Sequence, residues 1–396
     1  MKVCIIGQGA SGVTLSLMLK KEDPSLDVTI LDHNDKTNKK LLATGNGRCN
    51  LGNLELKKYS YNNDFGFKIY NKFDVNKQRE FFESIGLLTR NLNELVYPYS
   101  LSSNQVVGYF NKLLKEYKVK LVNKVKIDDY KVNEDNVEVT FNNKTYKFDK
   151  VIFACGGMST PSLGSDGSLY KVFKKHNYNI IALKPGLTPV IVKENVKGIE
   201  NERLKGNVKL FINNKLTYEE EGEVLFKKNG LSGIAIFNVS SFISRSSSSS
   251  KIKIIIDLFP KISEEELFKN FEKYSSFARF SFLEGIFSLR VSEFIRKNSN
   301  AKNLYKFDSC DLKNIVHYCK NMEFNYEKNY DFNSSQVSVG GIDTKLLNDD
   351  LSSKLEKNVY FAGEVINVDG LCGGFNLMFA FACSYVIKEA LINNKK

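Results

Sequence analysis

The chemistry of this chain is most legible near its amino terminus, where Gly7-Gln8-Gly9-Ala10-Ser11-Gly12 has the spacing Gly-x-Gly-x-x-Gly. The segment follows an apolar run and opens a helical pattern, and in that setting each glycine has a separate reason. Gly7 permits a tight turn, Gly9 lets the backbone approach a pyrophosphate, and Gly12 lets helix and strand pack closely. With Ala10 and Ser11 these residues form a helix start, whose free N–H groups and positive dipole end favour an anion by roughly 0.3–1 kcal/mol. Asp32 ends the second apolar run, twenty residues past Gly12. A carboxylate there accepts hydrogen bonds from adenosine ribose hydroxyls. The reading is a dinucleotide site, and the fingerprint alone does not separate FAD from NAD.

Three further segments bear on that choice: Leu41 to Asn50 (Leu-Leu-Ala-Thr-Gly-Asn-Gly-Arg-Cys-Asn), Ala154-Cys155-Gly156-Gly157, and Ala362-Gly363-Glu364 followed by Asp369 to Leu377. A strand ending in Gly363-Glu364 and a glycine-rich turn opening the last helix suit a long, two-segment FAD fold that closes over the ribityl chain and flavin. An NAD domain has no need of them. No second Gly-x-Gly-x-x-Gly follows Val151 to Ala154, so a dedicated NAD(P)H domain is not expected. Any NAD(P)H visits the open flavin face transiently as electron donor. His33, His176 and His317 lie outside these motifs and read as surface or packing residues. Cys49 has no cysteine two or three residues away, which argues against a disulfide-reductase centre and for a thiol packed near the flavin. Tyr97 and Tyr99 flank Pro98 in a loop-like stretch and are the aromatic pair singled out for stacking on a substrate. No catalytic acid or base and no metal site is assigned.

The elements that must position these residues follow from periodicity. Val3 to Ile6, Val13 to Lys20 and Val28 to Leu31 read as strand, helix and strand, a βαβ unit of about 30 residues. Helices are expected over Val75 to Ser84 and Gln105 to Tyr117, then an alternating strand over Lys120 to Val125. Asn136 to Phe141 and Thr145 to Phe148 form a hairpin joined by Asn142-Asn143-Lys144. Val151 to Ala154 reads as a strand buried on both faces. After Pro185 the character changes: Val190 to Phe259 reads as alternating strands with a solvated loop at Ser246 to Ser250, and Ile262 to Cys319 shows helical spacing. The α/β character returns from Gly340, with a strand over Val359 to Ala362 and a last helix from Phe375 to Ile392.

Composition sets bounds on the rest. At 396 residues, with 42% hydrophobic and 26% charged, the chain can bury a large core without staples. Seven scattered cysteines with no Cys-x-x-Cys pair suggest reduced thiols, and the absence of a charged-then-apolar leader after Met1 makes a cytoplasmic protein the expectation. The apolar stretch Phe375 to Ile387 is too short for a membrane span. The formal charge of +12 is spread along the chain with no nucleic-acid module, so the expected partner is a small-molecule substrate; oligomeric state is not legible.

Taken together these segments resemble the HI0933-like flavoproteins, a family also labelled BaiN-like, YhiN or aminoacetone oxidase. The resemblance spans nearly the whole chain and is carried by Gly47 to Asn50, Gly222 to Phe226 with Gly230-Leu231-Ser232-Gly233, Gly340-Gly341, and Tyr360 to Leu377. It implies an α/β fold: a discontinuous Rossmann-type FAD-binding domain over residues 1–188 and 336–396. The insert, residues 189–335, would be a β-barrel with a small helical module over about 262–320, covering the working face of the flavin. It implies non-covalent FAD, with Gly7, Gly9, Ala10, Ser11 and Gly12 on the pyrophosphate, Asp32 on the ribose and the Val125 backbone on the adenine edge. Thr44, Gly45, Arg48, Cys49 and Asn50 would line the flavin cavity. Gly363, Glu364 and Asp369 would meet the phosphate and ribityl region, while Gly374, Asn376 and Leu377 aim N–H groups at flavin N1 and O2. Ala154, Gly156 and Gly157 join the same cofactor set.

The chain departs from the family at Lys227 and Lys228, where Thr-His is common, at Ile234, where Pro is, and at Cys155 and Cys372, where Thr is frequent. A role for the missing histidine therefore does not transfer. The activity implied is FAD-dependent oxidoreduction through flavin N5, either amine oxidation or NAD(P)H-driven reduction of an unsaturated compound. A flavin-binding regulatory or RNA-associated protein is the alternative.

Overall fold

A computed structural model describes residues 1–277, 281–302 and 307–393. The chain forms two compact units, one of Met1–Pro185 with the segment from Gln336 onward, the other of Gly186–Ser335.

The first unit is built on a five-stranded parallel sheet in the order Val359–Phe361, Lys150–Phe153, Lys2–Ile6, Asp27–Leu31, Lys120–Val122. Val3, Cys4, Ile5 and Ile6 are buried on both faces, which is why the run is continuously apolar rather than alternating. Register aligns the strand ends. Gly7 N–H donates to Leu31 O at 2.8 Å, Ala154 N–H to Ile6 O at 2.8 Å, and Ala362 N–H to Phe153 O at 2.9 Å. The residues just beyond four strands, Gly7, Asp32, Ala154 and Gly363, therefore lie along one carboxyl edge, where open α/β sheets bind ligands.

Helix Ala10–Glu22 starts inside the fingerprint, three residues before the Val13 expected from periodicity, because Gly9 is its N-cap. The last helix, Phe375–Asn393, packs along it, and Ser384 Oγ donates to Ser11 O at 2.8 Å. Its nineteen residues are long and apolar enough to cross a membrane, contrary to the expectation of too short a stretch. Phe375, Phe379, Phe381, Cys383 and Ile387 are buried in the core, and a helix apolar all round is what such a position requires.

The smaller sheets of this unit include two of three strands. Ile127–Val132, Val137–Phe141 and Lys144–Phe148 are antiparallel, and the hairpin turn is only Asn142-Asn143, both left-handed (φ 50° and 58°), with Lys144 already in the strand. Asparagine tolerates that conformation, and it matches the twist of a two-residue hairpin. The other sheet, Gly52–Asn53, Leu95–Pro98 and Thr89–Leu92, was not foreseen. It places Tyr97 in a strand rather than a loop, buried, while Tyr99 is exposed with the Arg90 guanidinium 4.9 Å from its ring centroid.

The second unit is a closed six-stranded barrel: Val190–Val192, Gly230–Ser232, Lys215–Lys227, Arg203–Ile212, Ile252–Asp257 and Met322–Asn329. The stretch read as strands throughout contains a helix, Ile234–Arg245. Its β-branched residues favour a strand, but packing overrides that propensity. Gly222 leaves room for the helix, since a Cβ there would stand 3.0 Å from Ala235 Cβ. Helices Glu264–Phe277, Leu289–Asn298 and Ser309–Lys320 follow. Lys320 fastens the last of these to the barrel: its ammonium lies 2.8 Å from Asp257 Oδ2 and donates to the carbonyls of Phe259 and Ile262.

Candidate functional site

The three fingerprint glycines prove to have different causes. A Cβ at Gly7 (φ 120°) would lie 2.3 Å from Ala154 O, and one at Gly12 would lie 2.0 Å from Gly7 O, so both are fixed by the protein's own packing. A Cβ at Gly9 would meet nothing within 4 Å. Packing does not explain that glycine, whereas a ligand backbone approaching the helix start does. The residues present thus fit a dinucleotide pyrophosphate.

Asp32 accepts Gln8 N–H on Oδ2 at 2.6 Å, and Asn34 N–H and Nδ2 on Oδ1 at 2.7 and 2.9 Å. A carboxylate offers about four acceptor sites, so room is left for roughly one ribose hydroxyl. Asp32 faces a cleft whose walls also carry Gly7, Val125, Gly156 and Gly157. His33, Asp166 and Tyr170 line the same cleft. Sequence reading set His33 aside as a surface or packing residue and passed over the other two; the turn Gly164-Ser165-Asp166-Gly167, with φ of 107° and 69° at its glycines, was the available signal. Cys155 also lines the cleft, and burial pushes its thiol up to about 12, so it is neutral at physiological pH.

The carboxyl-terminal segment meets the fingerprint directly. Gly363 is left-handed (φ 75°), and a Cβ there would stand 2.3 Å from Ser11 Oγ. Beside it, Glu364 Oε2 receives the Lys40 ammonium at 2.7 Å, while Oε1 accepts Ser159 Oγ at 2.8 Å and Ser338 N–H at 2.9 Å. Gly157 is held against the same carboxylate, 2.8 Å separating its would-be Cβ from Glu364 Oε1. Burial alone would raise this carboxyl; the Lys40 charge and the hydrogen bonds from Lys40, Ser159 and Ser338 bring it below the usual range. Lys40, Ser159 and Ser338 were all missed from sequence.

The segment Thr44 to Asn50 has four left-handed residues, Gly45, Asn46, Gly47 and Cys49 at φ 57°, 53°, 83° and 61°, with Arg48 right-handed between the last two. Thr44 Oγ1 donates to Leu41 O, and Asn50 Oδ1 accepts Gly52 N–H. Cys49 is buried, which raises its thiol to about 12 despite a hydrogen bond with Thr44. Arg48 is exposed; its N–H donates to Gly45 O at 3.1 Å, and its guanidinium makes no hydrogen bond or ion pair among the described residues. The following strand runs against the last turn: Asn53 Nδ2 donates to Gly373 O at 3.1 Å, and a Cβ at Gly374 (φ 100°) would lie 2.9 Å from Gly52 Cα. The Asn376 side chain pairs in both directions with the Gly370 backbone at 2.8 and 2.9 Å, so it shapes the turn and leaves the helix-start N–H groups of Asn376 and Leu377 for a ligand. Asp369 is buried, and its N–H donates to Asn62 Oδ1 at 3.1 Å.

The parallel sheet, the glycine-rich turn and the helix start define a Rossmann-type dinucleotide fold. The chain belongs to the HI0933-like family: the family's model, described as the HI0933-like protein Rossmann domain, matches residues 1–390. It is accordingly an FAD-dependent oxidoreductase. It is 29% identical to the 3-dehydro-bile acid delta(4,6)-reductase of Clostridium scindens, over 98% of each chain. Ribosomal RNA dihydrouridine synthases are also similar, that of Haemophilus influenzae at 24% identity over 96% of each chain and that of Escherichia coli at 23% over 99% of this chain and 98% of the relative. Among solved structures, 3-ketosteroid delta1-dehydrogenase from Sterolibacterium denitrificans in complex with 1,4-androstadiene-3,17-dione aligns with a TM-score of 0.48 and 10% identity, over 98% of this chain and 99% of that one.

Proposed function

We propose that this chain reduces a carbon–carbon double bond conjugated to a carbonyl group, with NAD(P)H as the electron donor. The observation that carries the reading is similarity along nearly the full chain to relatives whose names denote that one chemistry on different substrates. A delta(4,6)-reductase of a 3-oxo compound saturates a conjugated enone or dienone, and dihydrouridine is uridine with the bond conjugated to its C4 carbonyl saturated. Bound FAD would supply the hydride equivalent at its N5.

The chain's own residues do the rest. The Gly9 backbone and the N–H groups opening helix Ala10–Glu22 hold the pyrophosphate. Asp32 fixes one ribose hydroxyl, and Val125 with Gly156 frames the adenine side of the cleft. The helix start at Phe375 directs N–H groups and a positive dipole end at the pole where negative charge accumulates on reduction. Cys49 and Cys155, protonated at neutral pH, do not act as thiolates. The net charge of +12 favours an anionic substrate, whether a carboxylated ring system or a polynucleotide.

The test is anaerobic reduction of the purified holoprotein by NADH and by NADPH, followed by mixing with a 3-oxo-Δ4,6 steroid acid, a simple conjugated enone, or unmodified ribosomal RNA. Bleaching by a nicotinamide and recovery of oxidised flavin absorbance with one of these acceptors is the expected result. Reduction by an amine instead, with no response to any conjugated carbonyl, would overturn the reading.

A further inference from the structure

Four segments distant in sequence converge on the Glu364 carboxylate. They are the short helix Lys39–Ala43 carrying Lys40, the loop carrying Gly157 and Ser159, the strand Val337–Ile342 carrying Ser338, and the turn Gly363–Val365 itself. Lys40 Nζ also donates to Ser159 Oγ at 2.9 Å, so the ammonium is held at two points. Lys40 and Glu364 are 28% and 21% exposed, which screens their attraction less than on an open surface.

The location gives this pair a consequence for ligand binding. The Gly363 turn lies on Ser11, in the first turn of the helix that opens at the fingerprint, and Gly157 lies against Glu364. A bare carboxylate there is a like charge beside the negatively charged pyrophosphate and opposes its binding. Beyond its N–H groups and dipole end the fingerprint supplies no charged side chain as a counter-charge, because the first turn of helix Ala10–Glu22 contains only Ala10, Ser11, Gly12 and Val13.

We propose that Lys40 is a positioning residue of the cofactor site, its ammonium cancelling the Glu364 charge beside the pyrophosphate of FAD. Glu364 then ties the Gly363 turn to Ser159 and Ser338 without repelling the ligand. The inference rests on the FAD reading of the cleft.

The test is FAD affinity of the apoprotein, measured by quenching of flavin fluorescence, for the wild type, Lys40→Met, Lys40→Arg, Glu364→Gln and the double variant Lys40→Met/Glu364→Gln. Lys40→Met should weaken FAD binding about tenfold or more, an effect that shrinks as salt is raised. Lys40→Arg should retain most of the affinity, and the double variant should bind better than Lys40→Met because no uncompensated carboxylate remains. Thermal unfolding of each apoprotein separates a folding defect from a binding defect, and if Lys40→Met does not fold, Lys40→Gln carries the same comparison. Wild-type affinity in Lys40→Met, or losses in the double variant that simply add, would overturn the role of Lys40. A wild type that takes up no FAD would overturn the cofactor reading and this proposal with it.

Discussion

A side chain at Gly7 or Gly12 would strike a carbonyl oxygen, whereas one at Gly9 would enter open space, and these positions call for different outcomes on substitution. Gly12→Val should destabilise the protein itself by several kcal/mol through overpacking. Gly9→Val should leave the apoprotein folded, with an unfolding midpoint within a few degrees of wild type, yet emerge from purification colourless. Flavin content per chain checks this, and a yellow Gly9→Val protein contradicts it. The buried Cys49 gives a second prediction at this scale. With its thiol enclosed and raised to about 12, the native protein at pH 8 should leave Cys49 unalkylated by iodoacetamide while exposed Cys310 reacts, as peptide mass mapping would show. Rapid modification of Cys49 would mean the loop Thr44 to Asn50 opens.

The fingerprint glycines and Asp32 were legible in the sequence because their spacing is local and each obeys a rule of the strand–turn–helix unit. Lys40 was not, because its partner Glu364 lies 324 residues away and no periodicity links them. His33 was set aside for the opposite reason: it stands beside Asp32 in sequence, but only the fold shows that its position lines the cleft.

At the scale of elements, packing explains what the sequence left ambiguous. Helix Ile234–Arg245 carries Ile, Val and Phe at positions that suit a strand equally well, and the lack of a side chain at Gly222, opposite Ala235, gives it room to lie against the barrel. The sheet Gly52–Asn53, Thr89–Leu92 and Leu95–Pro98 has strands of two to four residues, too short for alternation to register. By contrast, most strands of the parallel sheet, though only three to five residues long, are nearly continuous apolar runs and were placed to within a residue or two, apart from Lys120–Val122, which stops three residues short of Val125.

The ion pair joining Lys320 to Asp257 is nearly enclosed, with side chains 12% and 7% exposed. Lys320→Met should therefore cost about 3–5 kcal/mol by stranding the carboxylate, read as a lower denaturant midpoint. Replacing both partners with apolar residues should restore part of that loss; a midpoint unchanged in Lys320→Met would show the pair is solvated. The Glu364 carboxyl gives a pH dependence. Its folded value lies below its unfolded one, so its contribution is present above the unfolded carboxyl range, about pH 4.3, and is lost as pH falls through the folded value. Unfolding midpoints of the apoprotein taken from pH 7 downward should fall more steeply in acid for wild type than for Glu364→Gln, and parallel curves would contradict the assignment.

For the molecule as a whole, the account depends on segments more than 350 residues apart forming one cradle. The contact between Gly363 and Ser11, and the hydrogen bond from Ser384 to the Ser11 carbonyl, bring the two ends of the chain together at the carboxyl edge of the sheet. That closure was expected from the glycine-rich turn before the last helix; the side-chain network that fastens it was not. The most direct measurement is amide hydrogen exchange on apoprotein and FAD-loaded protein, followed peptide by peptide. The account predicts that FAD slows exchange together in peptides covering Gly7 to Val13 and Gly363 to Met378, with the same dependence on FAD concentration. Protection confined to the amino-terminal peptide, with the carboxyl-terminal turn unchanged, would contradict a shared flavin site.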